Sequence, residues 1–363
     1  FKGAMEEVFD IQERIARAVV AALQLRLEPE EDRRLAGRGI EDIAVWRRVV
    51  QARQESARWR PDALDRAREL LDEALALGGD HPEITAALGR VLLQYREAGL
   101  DVSDALLERA EDCAARAGEA DPDGAGVAVL RGWLHYARGQ LGRAIDELEQ
   151  ARARDRDHPE ALGLLVHCLL LTGQGERAQP IIDHLLAVDP LTPVNLCLPG
   201  YRSAMEGDFE TAAPHYRAML DRDPGNPVGR LFMVWVLLAA GRDEAAREAA
   251  QGFEPPTDQS PAAWIAGLFI GTEDPEHLPD PVRDLANASV MYARPLAQAL
   301  AAAGDAEGSL QWWEKAVEQG LATWPTLAEH DPFFALLQDS EAKRRLLKMV
   351  RGRWASHRAK VVA

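Results

Sequence analysis

Glycines at positions 139, 173, 207 and 241 lie 34 residues apart, and three other kinds of position keep the same step. Alanines recur at Ala144, Ala178, Ala212 and Ala246. Prolines recur at Pro159, Pro193 and Pro227, and again at Pro190 and Pro224. A fixed period of this length means one supersecondary unit stacked on copies of itself, each packing on its neighbours. The residues suit two helices and a turn. Glycine ends the first helix (A), where a left-handed residue costs least. In the last three of these repeats the four residues after it include a polar or acidic candidate cap for the second helix (B). The small alanine lets B approach A closely, and an apolar residue follows four later, as in Leu148, Ile182 and Tyr216. Proline then breaks the chain before the next A. Valine and isoleucine never alternate along the chain, so no strand is expected.

The order Gly, Ala, apolar, Pro resembles the tetratricopeptide repeat (TPR). That resemblance implies an all-α fold, a right-handed TPR superhelix (α-solenoid). The clearest copies start at Ala125, Pro159, Pro193 and Pro227, with a further one from Val290. Looser pairs precede them, among them 43–59 with 64–77. The expected organisation is 1–5 as an expression scar and 6–40 as N-terminal helices leading in. The array follows at 41–251, an irregular Pro-rich degenerate repeat at 252–289 with a helix at 261–270, a TPR at 290–323, and a C-terminal cap with a basic helix at 324–363.

The two ends carry a narrower resemblance. Glu7 to Ala18, and the stretch His330-Asp-Pro-Phe-Phe-Ala-Leu-Leu-Gln-Asp-Ser340, resemble the TolB-like/TPR region of bacterial adenylate cyclases, serine/threonine kinases and winged-helix regulators. Gln338 and Ser340 stand where that family usually has Arg and Pro. The resemblance implies the regulatory part of a larger bacterial signalling protein.

The net charge of −17 argues against binding a phosphate backbone, so no nucleic acid is expected. The charge is uneven, because Lys343, Arg344, Arg345, Lys348, Arg351, Arg353, Arg358 and Lys360 follow the last acid, Glu341. This basic helix, with Leu346, Leu347, Val350 and Trp354 in one stripe, is expected to cap the last repeat or to contact an acidic surface. No apolar run of about 18 residues occurs, so no membrane span is expected. Cys113, Cys168 and Cys197 show no CxxC spacing and read as buried reduced thiols, which suits a cytoplasmic location.

No phosphate loop, zinc spacing or nucleophile elbow occurs, so neither enzyme activity nor a cofactor or metal is expected. Gly124 and Gly126 read as a loop into helix A, and His81 and His158 as turn residues before proline. In a TPR array helix A lines the concave face, so residues at one offset form a ladder. Val129, Gly163, Cys197 and Leu231 make one ladder, and Trp133, His167, Tyr201 and Trp235 the next. Neither carries the Lys, Asn and Arg of TPR domains that grip a terminal carboxylate. Val129, Trp133, His167, Cys197, Tyr201, Leu231 and Trp235 are therefore expected to line a groove for an apolar peptide or helix of a protein partner. The alternative is an oligomerisation scaffold, its groove filled by its own tail or by a second copy in a homodimer.

Overall fold

The computed structural model describes residues 42–253 and 260–362. The expected scar, the leading helices and the Glu7–Ala18 resemblance lie outside these residues. The described chain is helical throughout, with no strand among the described residues.

Antiparallel pairs follow one another. They are α1 (Ile43–Ser56) with α2 (Pro61–Gly78), α3 (Pro82–Glu97) with α4 (Asp104–Ala120), and α5 (Ala125–Ala137) with α6 (Leu141–Arg154). Next come α7 (Pro159–Leu171) with α8 (Gly175–Val188). The following helix A is broken into α9 (Pro193–Leu196) and α10 (Leu198–Met205), and both pack on α11 (Phe209–Arg222). Then α12 (Pro227–Ala239) pairs with α13 (Asp243–Ala250), α14 (Pro261–Ile270) with α15 (Asp280–Ala288), and α16 (Val290–Ala303) with α17 (Ala306–Glu318). A π-turn at Thr326–His330, the short α18 (Pro332–Leu336) and α19 (Glu341–Val362) complete the chain.

The turn glycines behave as their period demands. Gly139, Gly173, Gly207 and Gly241 have φ of 70°, 68°, 86° and 71°. The N–H that follows each returns to the carbonyl five residues earlier. These bonds are Gln140 to His135 (2.8 Å), Gln174 to Leu169 (2.8 Å), Asp208 to Ser203 (2.9 Å) and Arg242 to Leu237 (2.8 Å). Each helix A thus ends in the same Schellman-type closure. The expected side-chain caps on helix B occur only in part. Asp208 caps α11 by accepting from Thr211 N at 3.1 Å, whereas Gln174 and Arg242, at the same place before α8 and α13, make no side-chain cap bond.

At the other end of the unit, proline opens α7, α9 and α12 at a position whose N–H has no helical partner anyway. His81 and His158 serve as caps, accepting from Glu83 N (3.3 Å) and Ala161 N (3.4 Å). Gly124 caps α5 as expected of a loop into a helix. Ala144, Ala178, Ala212 and Ala246 are fully buried. Cys113 and Cys168 are buried and Cys197 half-buried, all as free thiols.

The break between α9 and α10 has a local cause. Pro199 has no N–H and its ring crowds the preceding turn, so the helix restarts at Leu198. There α10 runs unusually close to α11. A Cβ on Gly200 would meet the carbonyl oxygen of Ala212 at 2.7 Å. Replacing a mid-helix glycine by alanine normally gains about 0.5–1 kcal/mol. Here the obstacle is backbone, so Gly200→Ala is expected to cost about 1–3 kcal/mol instead. Chemical denaturation checks the sign, and a raised midpoint would mean that the two helices are not in contact.

Candidate functional site

In the second ladder His167 stacks on Tyr201, and the residues of both ladders are largely buried and do not face an open groove. Val129 and Leu231 are fully buried, and Trp133, Tyr201 and Trp235 are buried. His167 and Cys197 are half-buried. Cys197 sits at the helix break, its thiol donating to Val194 O at 3.2 Å. The aromatic rings run on from repeat to repeat. Trp59 meets Trp133 at 6.0 Å, Tyr136 lies 5.5 Å from both Trp133 and His167, and His167 stacks on Tyr201 at 5.6 Å. Phe232 then bridges Tyr201 (5.8 Å) and Trp235 (5.6 Å).

What covers this ladder is the chain's own C-terminal third, because the solenoid turns tightly enough for its last repeats to lie against its first. Arg294 of α16 places its guanidinium carbon 4.5 Å from the Trp235 ring centre, 5.4 Å from Phe232 and 5.5 Å from Tyr201. Arg294 is 2% exposed, and its nitrogens make no hydrogen bond of good geometry. An isolated buried cation is costly. Three ring faces oppose that cost, each attracting a desolvated guanidinium by about 2 kcal/mol or less. The Asp331 carboxylate adds to this. It faces the same interior, accepts from Gln298 Nε2 at 2.6 Å, and caps α18 through Phe333 N and Phe334 N. Burial raises its proton affinity despite those contacts.

The rim is sealed as well. Ala322 N donates to Leu171 O at 2.9 Å, and Thr326 Oγ1 to Met205 O at 2.6 Å. Leu285 sits against Gly99, Gln319 against Gly139, Trp354 against Gly173, and His330 against Gly207. At Gly139 a Cβ would meet Gln319 backbone at 2.9 Å, so glycine there serves both the turn and the close approach.

At the joint between the first and last repeats lies Glu97, at the end of α3. It accepts from Ser289 Oγ at 2.6 Å and from Tyr136 Oη at 3.4 Å, while its Oε1 has no partner. Burial pushes its pKa up to about 7 against those hydrogen bonds and the nearby Arg96 charge. Behind Tyr136, burial and the Arg294 charge hold His167 neutral, its pKa lowered to about 3. Repeat spacing gave no hint of Glu97, Arg294, Gln298 or Asp331. One signal was present: Arg294 and Gln298, one turn apart, interrupt an otherwise apolar, alanine-rich helix.

Outside the core, α19 buries Leu346 and Val350 and leaves Arg344, Arg345, Lys348, Arg351, Arg353 and Arg358 exposed. Arg353 donates to Val317 O at the end of α17, and Arg345 pairs with Glu314 at 2.7 Å. A surface pocket of about 390 Å³ opens between α19 and the start of α6, lined in part by Arg143, Arg353 and His357. Among the described residues no group of three or more His, Cys, Asp or Glu could hold a metal ion, and no helix is long and apolar enough to cross a membrane.

With Trp235 2% exposed beneath Arg294, Trp235→Ala is expected to cost about 3–5 kcal/mol of stability as a core truncation. Urea unfolding measures this. A midpoint unchanged from the parent would mean that the ladder lies at an open surface.

Residues 135–194 and 203–266 match the tetratricopeptide repeat family. Over 173 residues the chain is 26% identical to cellulose synthase operon protein C of Pseudomonas fluorescens (strain SBW25). That match covers 46% of this chain and 14% of the relative, so the chain spans a small part of that protein's length. Among solved structures, a tetratricopeptide repeat protein from Parabacteroides merdae is 14% identical, with 85% of this chain and 99% of that one covered at a TM-score of 0.40. A thermophilic TPR protein from Thermus thermophilus is 18% identical, covering 54% of this chain and all (100%) of its own, at 0.42. The human IFIT1 dimer with PPP-AAAA is 14% identical, covering 71% and 69%, at 0.49. The chain carries tetratricopeptide repeats and folds as an α-solenoid of the TPR kind.

Proposed function

We propose that this chain is a non-enzymatic protein-interaction scaffold, the cytoplasmic regulatory region of a larger bacterial signalling protein, and that it offers the basic face of α19 to an acidic segment of a protein partner. The observation that carries this reading is the division of labour on α19. Arg344, Lys348, Arg351 and Arg358 fall at i, i+4, i+7 and i+14, one stripe of the helix, and all are exposed. The apolar side of the same helix is spent on the protein, with Leu346 and Val350 fully buried. Among its described side chains that leaves Met349 as the exposed large apolar group, too little for insertion into a lipid surface, which is how a basic amphipathic helix usually binds one.

Local contacts order the stripe, and one of them is an ion pair that offsets part of its charge. Arg351 lies over Trp324 and Arg358 over Trp354, at 5.4 and 5.0 Å, and Arg344 pairs with Asp339 five residues away. The inner ladder of Val129, Trp133, His167, Cys197, Tyr201, Leu231 and Trp235 is a second surface for a partner only when α16 leaves it. Occupation of that face by the chain's own repeats also favours a monomer over a homodimer that fills its groove in trans.

A fluorescent oligoglutamate peptide, followed by anisotropy at low salt, tests the reading. Arg344→Glu, Lys348→Glu and Arg351→Glu together are expected to weaken binding by about tenfold or more with the melting temperature little changed. Equal binding by parent and variant would contradict it. Light scattering is expected to give the 39.9 kDa of one chain at all concentrations. A stable dimer would favour the oligomerisation reading.

A further inference from the structure

The hydrogen bond between Ser289 and Glu97 joins residues 192 positions apart. It ties the N-cap residue of α16, the helix that covers the aromatic ladder, to the last turn of α3. The acceptor is a carboxyl that is 6% exposed and forms no salt bridge among the described residues. Its neighbour Arg96 donates to Val102 O at 2.7 Å, and its charge opposes the effect of burial on Glu97 without forming a salt bridge to it. The other groups that face Glu97 are hydroxyls: Tyr136 from α5, and Ser289 and Tyr292 from the start of α16. His167 of α7 stands behind Tyr136 at 3.4 Å, and the Arg294 charge lies beyond it. Arg294 is itself committed to the rings and to Asp331. A neutral carboxyl fits this place at the cost of one unpartnered oxygen. An ionised one would be a buried charge with no salt bridge among the described residues, which costs far more.

We propose that the Glu97 carboxyl is a proton-operated latch: protonated, it holds α16 and the last repeats against the first; ionised, it loosens that joint and frees the aromatic ladder beneath. This goes beyond the basic-stripe reading and stands or falls independently of it, since no partner is involved.

The sign follows from linkage. Closed, Glu97 keeps its proton up to about pH 7, whereas exposed it would lose it near its ordinary value of 4.5. Between those two values opening releases a proton, so closure weakens as pH rises, and beyond either limit the effect is constant. Asp331, also raised by burial, acts in the same sense on the α18 side. His167 acts in the opposite sense. It is held neutral when closed and able to take a proton below about 6.5 when exposed, so its contribution to closure is lost as pH falls. The parent profile sums all three, and comparison with Glu97→Gln, a neutral side chain of the same shape, isolates the Glu97 contribution.

Hydrogen exchange of the full chain, with rates normalised to intrinsic exchange at each pH, reads the joint directly. Protection of 289–303 in Glu97→Gln relative to the parent is expected to grow by about tenfold or more between roughly pH 5 and roughly pH 8. The growth is expected in α15 to α17 and the facing ends of α3, α5 and α7, not in α8 or α11. Ser289→Ala, which removes the hydrogen bond, is expected to lower protection of the same segment at every pH. A ratio flat with pH, or one that grows equally in every helix, would overturn the latch. If Glu97→Gln does not fold, carboxyl ¹³C titration of the parent decides. A Glu97 midpoint near 7, with protection of 289–303 lost over the same range, supports the proposal, and a midpoint near the ordinary 4.5 overturns it.

Discussion

Each regular helix A ends on a glycine at positive φ, and that reversal fixes the direction in which helix B returns. Because Gly139, Gly173, Gly207 and Gly241 share nearly the same φ, and the N–H after each closes on the same carbonyl offset, successive hairpins repeat one geometry. Repetition of one geometry makes a superhelix. It also lines up the helices A so that aromatics 34 residues apart fall into contact, as His167 and Tyr201 do at 5.6 Å. Three of these bare turns have a second use. With no Cβ at Gly139, Gly173 and Gly207, the chain's own Gln319, Trp354 and His330 come close enough to seal the rim.

Closure changes what the inner face can be. An open TPR ladder of aromatics would be a binding surface, but here the same rings surround a guanidinium from the chain's own α16. The arrangement puts a cation, two carboxyls, an imidazole and several hydroxyls in a low-dielectric interior. Such groups stabilise only when nearly all their bonds are made, and Arg294, Gln298 and Glu97 each keep an unpartnered atom. The interior joint is therefore more conditional than the apolar contacts between neighbouring repeats. Its fit depends on which of its carboxyls carry protons, whereas the Ala144-to-Ala246 row between helices A and B does not titrate.

The sequence exposes what is periodic and hides what is not. The repeat frame, the turn glycines, the opening prolines and the buried alanines are one-dimensional signals, readable from spacing alone. So was the helix at Pro261–Ile270, despite its Pro-rich surroundings. Spacing shows the shared register of the ladder residues, but their exposure is not legible. Whether that face is open depends on contacts such as Glu97 with Ser289, and a pairing across 192 residues leaves no period to find. Cys197 was assigned by register to a continuous helix, and Pro199 breaks the helix beside it. Arg294 in an alanine-rich helix was the available warning, since a charge at a core position implies a buried partner surface.

The central claim is that the last repeats lie against the first. The most direct test is a pulsed electron-spin distance between labels on two exposed positions flanking the Gly99–Leu285 contact, Asp101 and Asp284, in the full chain. The account predicts one short, narrow distance. A long or broad distribution would mean that the solenoid is open, and that the aromatic ladder is free to bind something else.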